Sequence, residues 1–291
     1  HKGAHPLRLS RFIPAQHVRP IGQQVSKPQA FAHRQDLATQ IGVRPHAVMA
    51  RRQGHVLEHV EIAHPTRPRK HAPDLAARAA ELEKDFGIQT RTAACDLGAP
   101  LPYTALDEAV RGIEIDVLHC NHMFTPTDTP KILDMDLALH HKVLDVNARA
   151  YVNLIHRFGN EMRARGKGAI ILTSSGSGLI PTPYTAAYCA NKAFQIAFGE
   201  ALWYELKGTG VDVLVIAAGL MRTSEAVSGY PKWLIADPAD VVKEVLPRVG
   251  KKHMVIPGPA NKFIVWSQTK MQSRRSSIQA MGDFMAKGLG K

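Results

Sequence analysis

The sequence predicts an α/β protein, a doubly wound parallel sheet in a single domain, behind an irregular or atypical N-terminal segment over residues 1–73. Three observations predict it. From residue 74 onward, short apolar strands alternate with longer amphipathic helices. The strands are apolar on both faces, as strands covered by helices on each side must be. Before residue 74, Pro6, Pro14, Pro20, Pro28, Pro45, Pro65 and Pro68 break nearly every window long enough for a helix or a central strand.

The elements follow in order. Val56–Ala63 carries apolar Val56, Val60 and Ile62 and reads as a strand of poor alternation. Asp74–Phe86 is a helix, with Asp74 as its N-cap and Gly87 at its C-terminal stop. Ile88–Ala94 reads as a strand, Tyr103–Arg111 as a helix and Ile115–Cys120 as a buried strand. Helices are expected over Asp136–Asp145 and Ala148–Arg165, closed by Gly166-Lys167-Gly168. The strand Ala169–Thr173 follows, then a long helix over Thr185–Lys207, a Gly208-Thr209-Gly210 turn and the buried strand Val211–Ala217. Met254–Pro257 is a last short strand. The expected organisation is 1–73 as a basic Pro/His/Arg-rich segment, 74–258 as the α/β body and 259–291 as a helical extension.

Composition narrows the class. With 45% apolar and 21% charged residues, the chain is neither disordered nor collagen-like. Three cysteines form no disulfide framework and fit a reducing compartment. The longest apolar run, Val213 to Met221, has nine residues, too few to span a bilayer. No signal-peptide pattern is seen, so a cytoplasmic protein without stable membrane insertion is expected. The net charge of +12 is concentrated: residues 1–73 hold 12 basic and 3 acidic residues, the rest 25 and 22. Aromatics are nearly absent from the basic segment, so a nucleic-acid platform is not expected. His55, His59 and His64 have no carboxylate or cysteine partner, so no metal is expected either.

Chemistry gathers where the strands end. In doubly wound sheets, ligands bind beyond the carboxyl ends of the strands. Those ends here bear Asp96, Asn121, Ser174 with Ser175, and Gly219 with Thr223. Tyr188 and Lys192 follow, four apart on one helix face and about 6 Å apart along its axis. A cation there favours phenolate, and moving a tyrosine pKa from about 10 to near 7 takes about 4 kcal/mol. Such a tyrosine exchanges a proton with a ketone or alcohol oxygen near neutral pH. Chance alone gives about 0.35 Tyr-x-x-x-Lys matches in this composition. The surrounding residues must therefore carry the assignment.

Those residues resemble the short-chain dehydrogenase/reductase family, in order, from about Asp74 to Pro257. Gly168-Ala-Ile-Ile-Leu-Thr-Ser-Ser175, ending thirteen residues before Tyr188, is similar to its serine-bearing strand. Asp145-Val-Asn147 ahead of a long helix resembles its asparagine, Asp116-Val-Leu-His-Cys-Asn121 its Asn-Asn-Ala-Gly strand, and Ala218-Gly219-x-x-x-Thr223 its Pro-Gly-x-x-x-Thr turn. The resemblance implies a Rossmann-like fold and an NAD(P)-dependent oxidoreductase acting on a small-molecule carbonyl or secondary alcohol. It implies Tyr188 as general acid/base, Lys192 as the group that lowers its pKa and holds the nicotinamide ribose, and Ser175 as the substrate-carbonyl contact. Asn147 would bend its helix and hold a relay water. Thr223 would meet the carboxamide, Asn121 the adenosine ribose side and Asp96 the adenine, unless Asp96 only caps a turn. Lys70 falls where a basic residue meets the 2′-phosphate of NADP, and no acid lies between Ile62 and Pro73. NADP is therefore expected over NAD.

The departures are equally informative. The family opens with a strand and a Thr-Gly-x-x-x-Gly-x-Gly turn holding the pyrophosphate. The glycines before residue 112 (Gly3, Gly22, Gly42, Gly54, Gly87, Gly98) cannot form it. The first 73 residues read as a substituted or out-of-frame segment fused to a reductase body. His122-Met123 puts bulk where the family has a small turn. Arg222–Ile235, with Tyr230, Trp233 and Leu234, reads as a substrate lid and suggests an apolar substrate. The basic, loosely amphipathic Lys262–Gly290 is expected to pack over the substrate side or a partner subunit. Phe194, Phe198, Ala201, Leu202 and Leu206 recur at helical spacing and point to a homodimer or homotetramer. Two functions stand: an oxidoreductase, or a catalytically silent relative that binds partners but no dinucleotide.

Overall fold

The computed structural model describes residues 47–53, 56–63, 72–126, 132–222 and 232–288. In chain order the elements are β1 (Ala47–Gln53), β2 (Val56–Ala63), α1 (Ala72–Phe86), β3 (Gln89–Ala94), α2 (Thr104–Ala109) and β4 (Val117–Cys120). Then come α3 (Leu137–Leu144), a π-helical turn (Asp145–Arg149), α4 (Ala150–Arg165), β5 (Gly168–Ser175), α5 (Ala186–Glu205) and β6 (Val211–Ala218). The chain continues through α6 (Pro238–Val245), β7 (Met254–Val255), α7 (Pro259–Trp266) and α8 (Arg274–Gly288).

The seven strands form one sheet in the order β3-β2-β1-β4-β5-β6-β7. The pairs β2–β3, β4–β5, β5–β6 and β6–β7 are parallel, as expected. The exception is β1, antiparallel to both neighbours. Chain length explains it: only Gly54 and His55 separate β1 from β2, and a parallel connection needs a dozen residues or more. A two-residue link can only turn the chain back. The strand over Val56–Ala63 is where the sequence put it; β1 lies in the segment read as irregular.

Alternation along β5 explains its continuous burial. Ile170 and Leu172 enter a core with Leu118, Cys120, Leu154, Phe158 and Val213. Ala169 and Ile171 face the other way, onto Val241, Val245 and Leu214. Both sheet faces are covered, and β5 is apolar throughout for that reason. The α1 helix begins at Ala72, two residues before the expected cap, so Asp74 lies in its first turn. The two expected helices around residue 146 are one continuous run, widened at Asp145–Arg149. Gly166 ends it in the left-handed conformation, φ +66°. Gly210, φ +82°, turns into β6 with its Cα against the Gly166 carbonyl, where a Cβ would collide with backbone.

The C-terminal extension folds back over the β5 side. Gly176 faces Val265 of α7 and Gly282 of α8 faces Pro183, at 3.6 and 3.2 Å from where a Cβ would lie. Among the described residues, no helix is long and apolar enough to cross a membrane, and no group of three metal-ligating side chains is found.

Candidate active site

The end of β5 is stitched to α5. Ser174 Oγ donates to the Lys192 carbonyl at 2.7 Å. The turn Gly176–Gly178 lies on the same helix, and a Cβ on Gly178 would stand 2.7 Å from the carbonyl carbon and oxygen of Lys192. Only glycine permits that approach, because backbone cannot give way as a side-chain tip can. Ser174 is spent on structure. Ser175 Oγ accepts from Ser177 N at 3.2 Å, and its hydroxyl acts on the Tyr188 phenol to lower its pKa.

Tyr188 stands in the first turn of α5 and Lys192 one turn later, with Nζ 5.8 Å from the Tyr188 ring centroid. The predicted pair is assembled. Its electrostatics differ from the expectation. Burial raises the Tyr188 pKa, the Ser175 bond opposes this, and Cys189 adds to the rise. Lys192 is 5% exposed and its pKa falls to about 7 through burial. Its Nζ donates to the Thr173 carbonyl at 2.9 Å and to Gln195 Oε1 at 3.0 Å. Both acceptors are neutral, so no opposite charge balances the lost hydration, and desolvation prevails. In this arrangement the phenol keeps its proton at neutral pH while the lysine is poised to lose one.

Asn147 lies in the widened turn and is buried. Its Oδ1 accepts from Phe124 N at 2.7 Å and its Nδ2 donates to Phe124 O at 2.8 Å, clamping the loop after β4. Its own carbonyl accepts from Gln195 Nε2 at 3.0 Å. The sequence reading missed Gln195. Its signal was a lone amide three residues after Lys192, between Phe194 and Ile196.

The remaining predicted residues divide. Asn121 is buried at the carboxyl end of β4. The bulk of His122 goes inward, its ring 4.3 Å from that of Tyr151. Asp96, after β3, accepts from Gly98 N at 2.9 Å through Oδ1 and so caps a turn. Gly219 is covered by the Asn261 side chain of α7, which fills the place of a Cβ. Asn261 is a second residue the sequence reading missed. Thr223 and Lys70 lie outside the described residues, as does the lid segment apart from Arg222 and residues 232–235. Trp233 there is 70% exposed.

The donor set fits one half of a nicotinamide dinucleotide. Lys192 as the ammonium has one N–H beyond the two it donates inward, and it lies beside a phenol–hydroxyl pair suited to a ribose and a carbonyl. Among the described residues the pyrophosphate half is not matched. A phosphate cradle needs a strand leaving the sheet centre at its carboxyl edge and entering a helix N-terminus. Residue Ala47 of β1 pairs with Cys120 and Ile62 at that edge, so β1 starts there and runs away from it.

The chain matches the family model described as short chain dehydrogenase over residues 68–232. It is 28% identical over 217 residues to a 7β-hydroxysteroid dehydrogenase of Collinsella aerofaciens, covering 71% of this chain and 81% of that protein. It is 30% identical over 179 residues to a very-long-chain 3-oxoacyl-CoA reductase of Neurospora crassa, covering 61% and 54%. A solved structure from work on 7β-hydroxysteroid dehydrogenase stereoselectivity superposes with a TM-score of 0.68 at 25% identity, covering 76% of this chain and 86% of that one.

Proposed function

Because the chain belongs to the short chain dehydrogenase family, we propose that it is an oxidoreductase interconverting a carbonyl and a secondary alcohol through Tyr188, Ser175, Lys192 and Asn147. The placing of Lys192 Nζ 5.8 Å from the Tyr188 ring, with the Ser175 hydroxyl acting on the same phenol, carries this reading. A carbonyl oxygen seated beside the hydroxyl and the phenol would accept from each. Tyr188, held protonated by burial, then donates its proton as negative charge develops on that oxygen. Lys192, with a pKa of about 7, returns a proton to the phenolate downhill, because burial holds the Tyr188 pKa above its ordinary value of 10. Ser175 orients the carbonyl, and Asn147 holds the loop after β4 in place.

A bound nicotinamide would supply or accept the hydride. Lys192 would hold its ribose, Thr223 and Gly219 would border its carboxamide, and Asn121 and Asp96 would line the adenosine side. Lys70 makes NADP the favoured cofactor. The substrate we infer is bulky and apolar: the relatives' names speak of hydroxysteroids and very-long-chain oxoacyl groups, and Trp233 exposes its ring within the lid segment. We further infer a homodimer or homotetramer built on α5, where Phe194 and Phe198 stack at 5.4 Å and stay only partly buried. Light scattering giving a monomer at micromolar concentration would remove that inference.

One observation favours the second reading, a catalytically silent relative. The reversed β1 leaves the pyrophosphate without its usual strand-to-helix turn among the described residues. Titrating the purified protein with NADPH and NADH while following nicotinamide fluorescence separates the two. Saturable binding, and turnover of an oxosteroid or 3-oxoacyl thioester with the bound cofactor, supports the oxidoreductase. Binding of neither cofactor supports the silent relative.

A further inference from the structure

Gln195 is completely buried in α5. An amide in that position is costly unless every polar atom finds a partner, and an apolar residue would pack against the sheet without that cost. Both ends of Gln195 are satisfied, and by groups of opposite kind. Its Oε1 accepts from Lys192 Nζ at 3.0 Å and its Nε2 donates to the Asn147 carbonyl at 3.0 Å. The orientation of the amide is thereby fixed: the Asn147 carbonyl can only accept, so a flipped amide would set oxygen against oxygen there, while the lysine nitrogen donates to Oε1 in either protonation state.

We propose that Gln195 positions Lys192, its side-chain amide tying the lysine nitrogen to the Asn147 carbonyl and so fixing where that nitrogen stands beside Tyr188. The proposal rests on the reading of Tyr188 and Lys192 as the proton-handling pair. A lysine has four rotatable side-chain bonds, and one hydrogen bond to the Thr173 carbonyl would let Nζ swing about that contact. The second anchor removes the swing. It also connects the lysine to the widened turn that clamps Phe124, so the loop after β4 and the lysine are held by one continuous set of hydrogen bonds. Gln195 has no direct contact with Tyr188 in this arrangement and acts through its neighbour.

The first test uses the cofactor-free full chain with 15N-labelled glutamine side chains. The Gln195 amide signal, identified by its loss in Gln195→Met, is expected to move when Lys192→Met removes its donor, while the other glutamine signals stay in place. A Gln195 signal unmoved by Lys192→Met would overturn the proposal whatever the activity. In the second test, Gln195→Met is expected to lower kcat about tenfold or more, with KM for the carbonyl substrate within about threefold, at a temperature where circular dichroism shows it folded. Ile196→Val, a buried packing change one residue away, is expected to leave kcat within about twofold. Gln195→Glu keeps an oxygen toward Lys192 and is expected to recover part of the loss; it also replaces the methionine variant for signal assignment should that one fail to fold. A Gln195→Met enzyme with the parent's kcat would overturn positioning. A parent without turnover whose Gln195 signal still responds to Lys192→Met would overturn the oxidoreductase reading and support the bridge.

Discussion

Replacing Lys192 by Met should change how stability depends on pH, by an amount the burial of the lysine determines. The folded protein holds Lys192 at a pKa of about 7, against 10.5 for the free group, because burial disfavours the charge. Between those values the unfolded chain carries a proton that the folded chain does not. Stability therefore rises with pH across that window, by about 1.4 kcal/mol per pH unit and about 5 kcal/mol in all. Below pH 7 both states are protonated and the contribution is flat. Lys192→Met removes the titration. Its own contacts change too, since the Thr173 carbonyl and Gln195 Oε1 lose a donor, but that loss is the same at every pH. The other titrating groups, including the buried Cys95 whose pKa is raised to about 11, are common to both proteins and cancel in the difference. Urea unfolding of parent and variant at pH 7.5, 8.5 and 9.5 should show the parent gaining ~2–3 kcal/mol on the variant over that range. A difference constant to within about 0.5 kcal/mol would refute a neutral, buried lysine at this position.

Tyr188→Phe should leave cofactor affinity within about threefold and lower turnover about 10²-fold or more, checked by nicotinamide fluorescence and steady-state rates; residual activity above about a tenth would end the proton-donor assignment. Asn147→Ala removes one hydrogen bond from each backbone group of Phe124, which should cost about 2–4 kcal/mol and lower the melting temperature by roughly 5–10 °C. Gly210→Ala combines a left-handed backbone with a collision against the Gly166 carbonyl and should cost about 3 kcal/mol or more, read as a lower urea midpoint. His119, buried with Nε2 2.7 Å from Thr173 Oγ1, has its pKa lowered to about 4 from 6.5 by burial. The unfolded chain takes up that proton first as the pH falls, so about 3 kcal/mol of stability is lost between pH 6.5 and 4; acid-unfolding curves of His119→Gln should lack that part of the loss.

The sequence alone determined the elements whose signals are local. The run Gly168-Ala-Ile-Ile-Leu-Thr-Ser-Ser175 is a buried strand because every side chain but the last is covered on one face or the other, and an unbroken apolar run reports two-sided burial directly. Gly166 ends α4 because a left-handed residue is needed there. Tyr188 and Lys192 share a face because the helical period places residues four apart together. Tertiary structure decided the rest. β1 has little alternation in Ala47–Gln53, and its direction comes from a two-residue link to β2 and from pairing with β4, which lies 64 residues further along the chain at Val117. Lys192 loses its charge near neutral pH because side chains from β5 and α5 exclude water from it, whereas its spacing from Tyr188 suggested only a cation beside a phenol. Gln195 gained its second partner, the Asn147 carbonyl, from a turn 48 residues earlier. A helical period or an apolar run is set within a few residues, but desolvation and hydrogen-bond partnership depend on groups brought together only when the sheet closes.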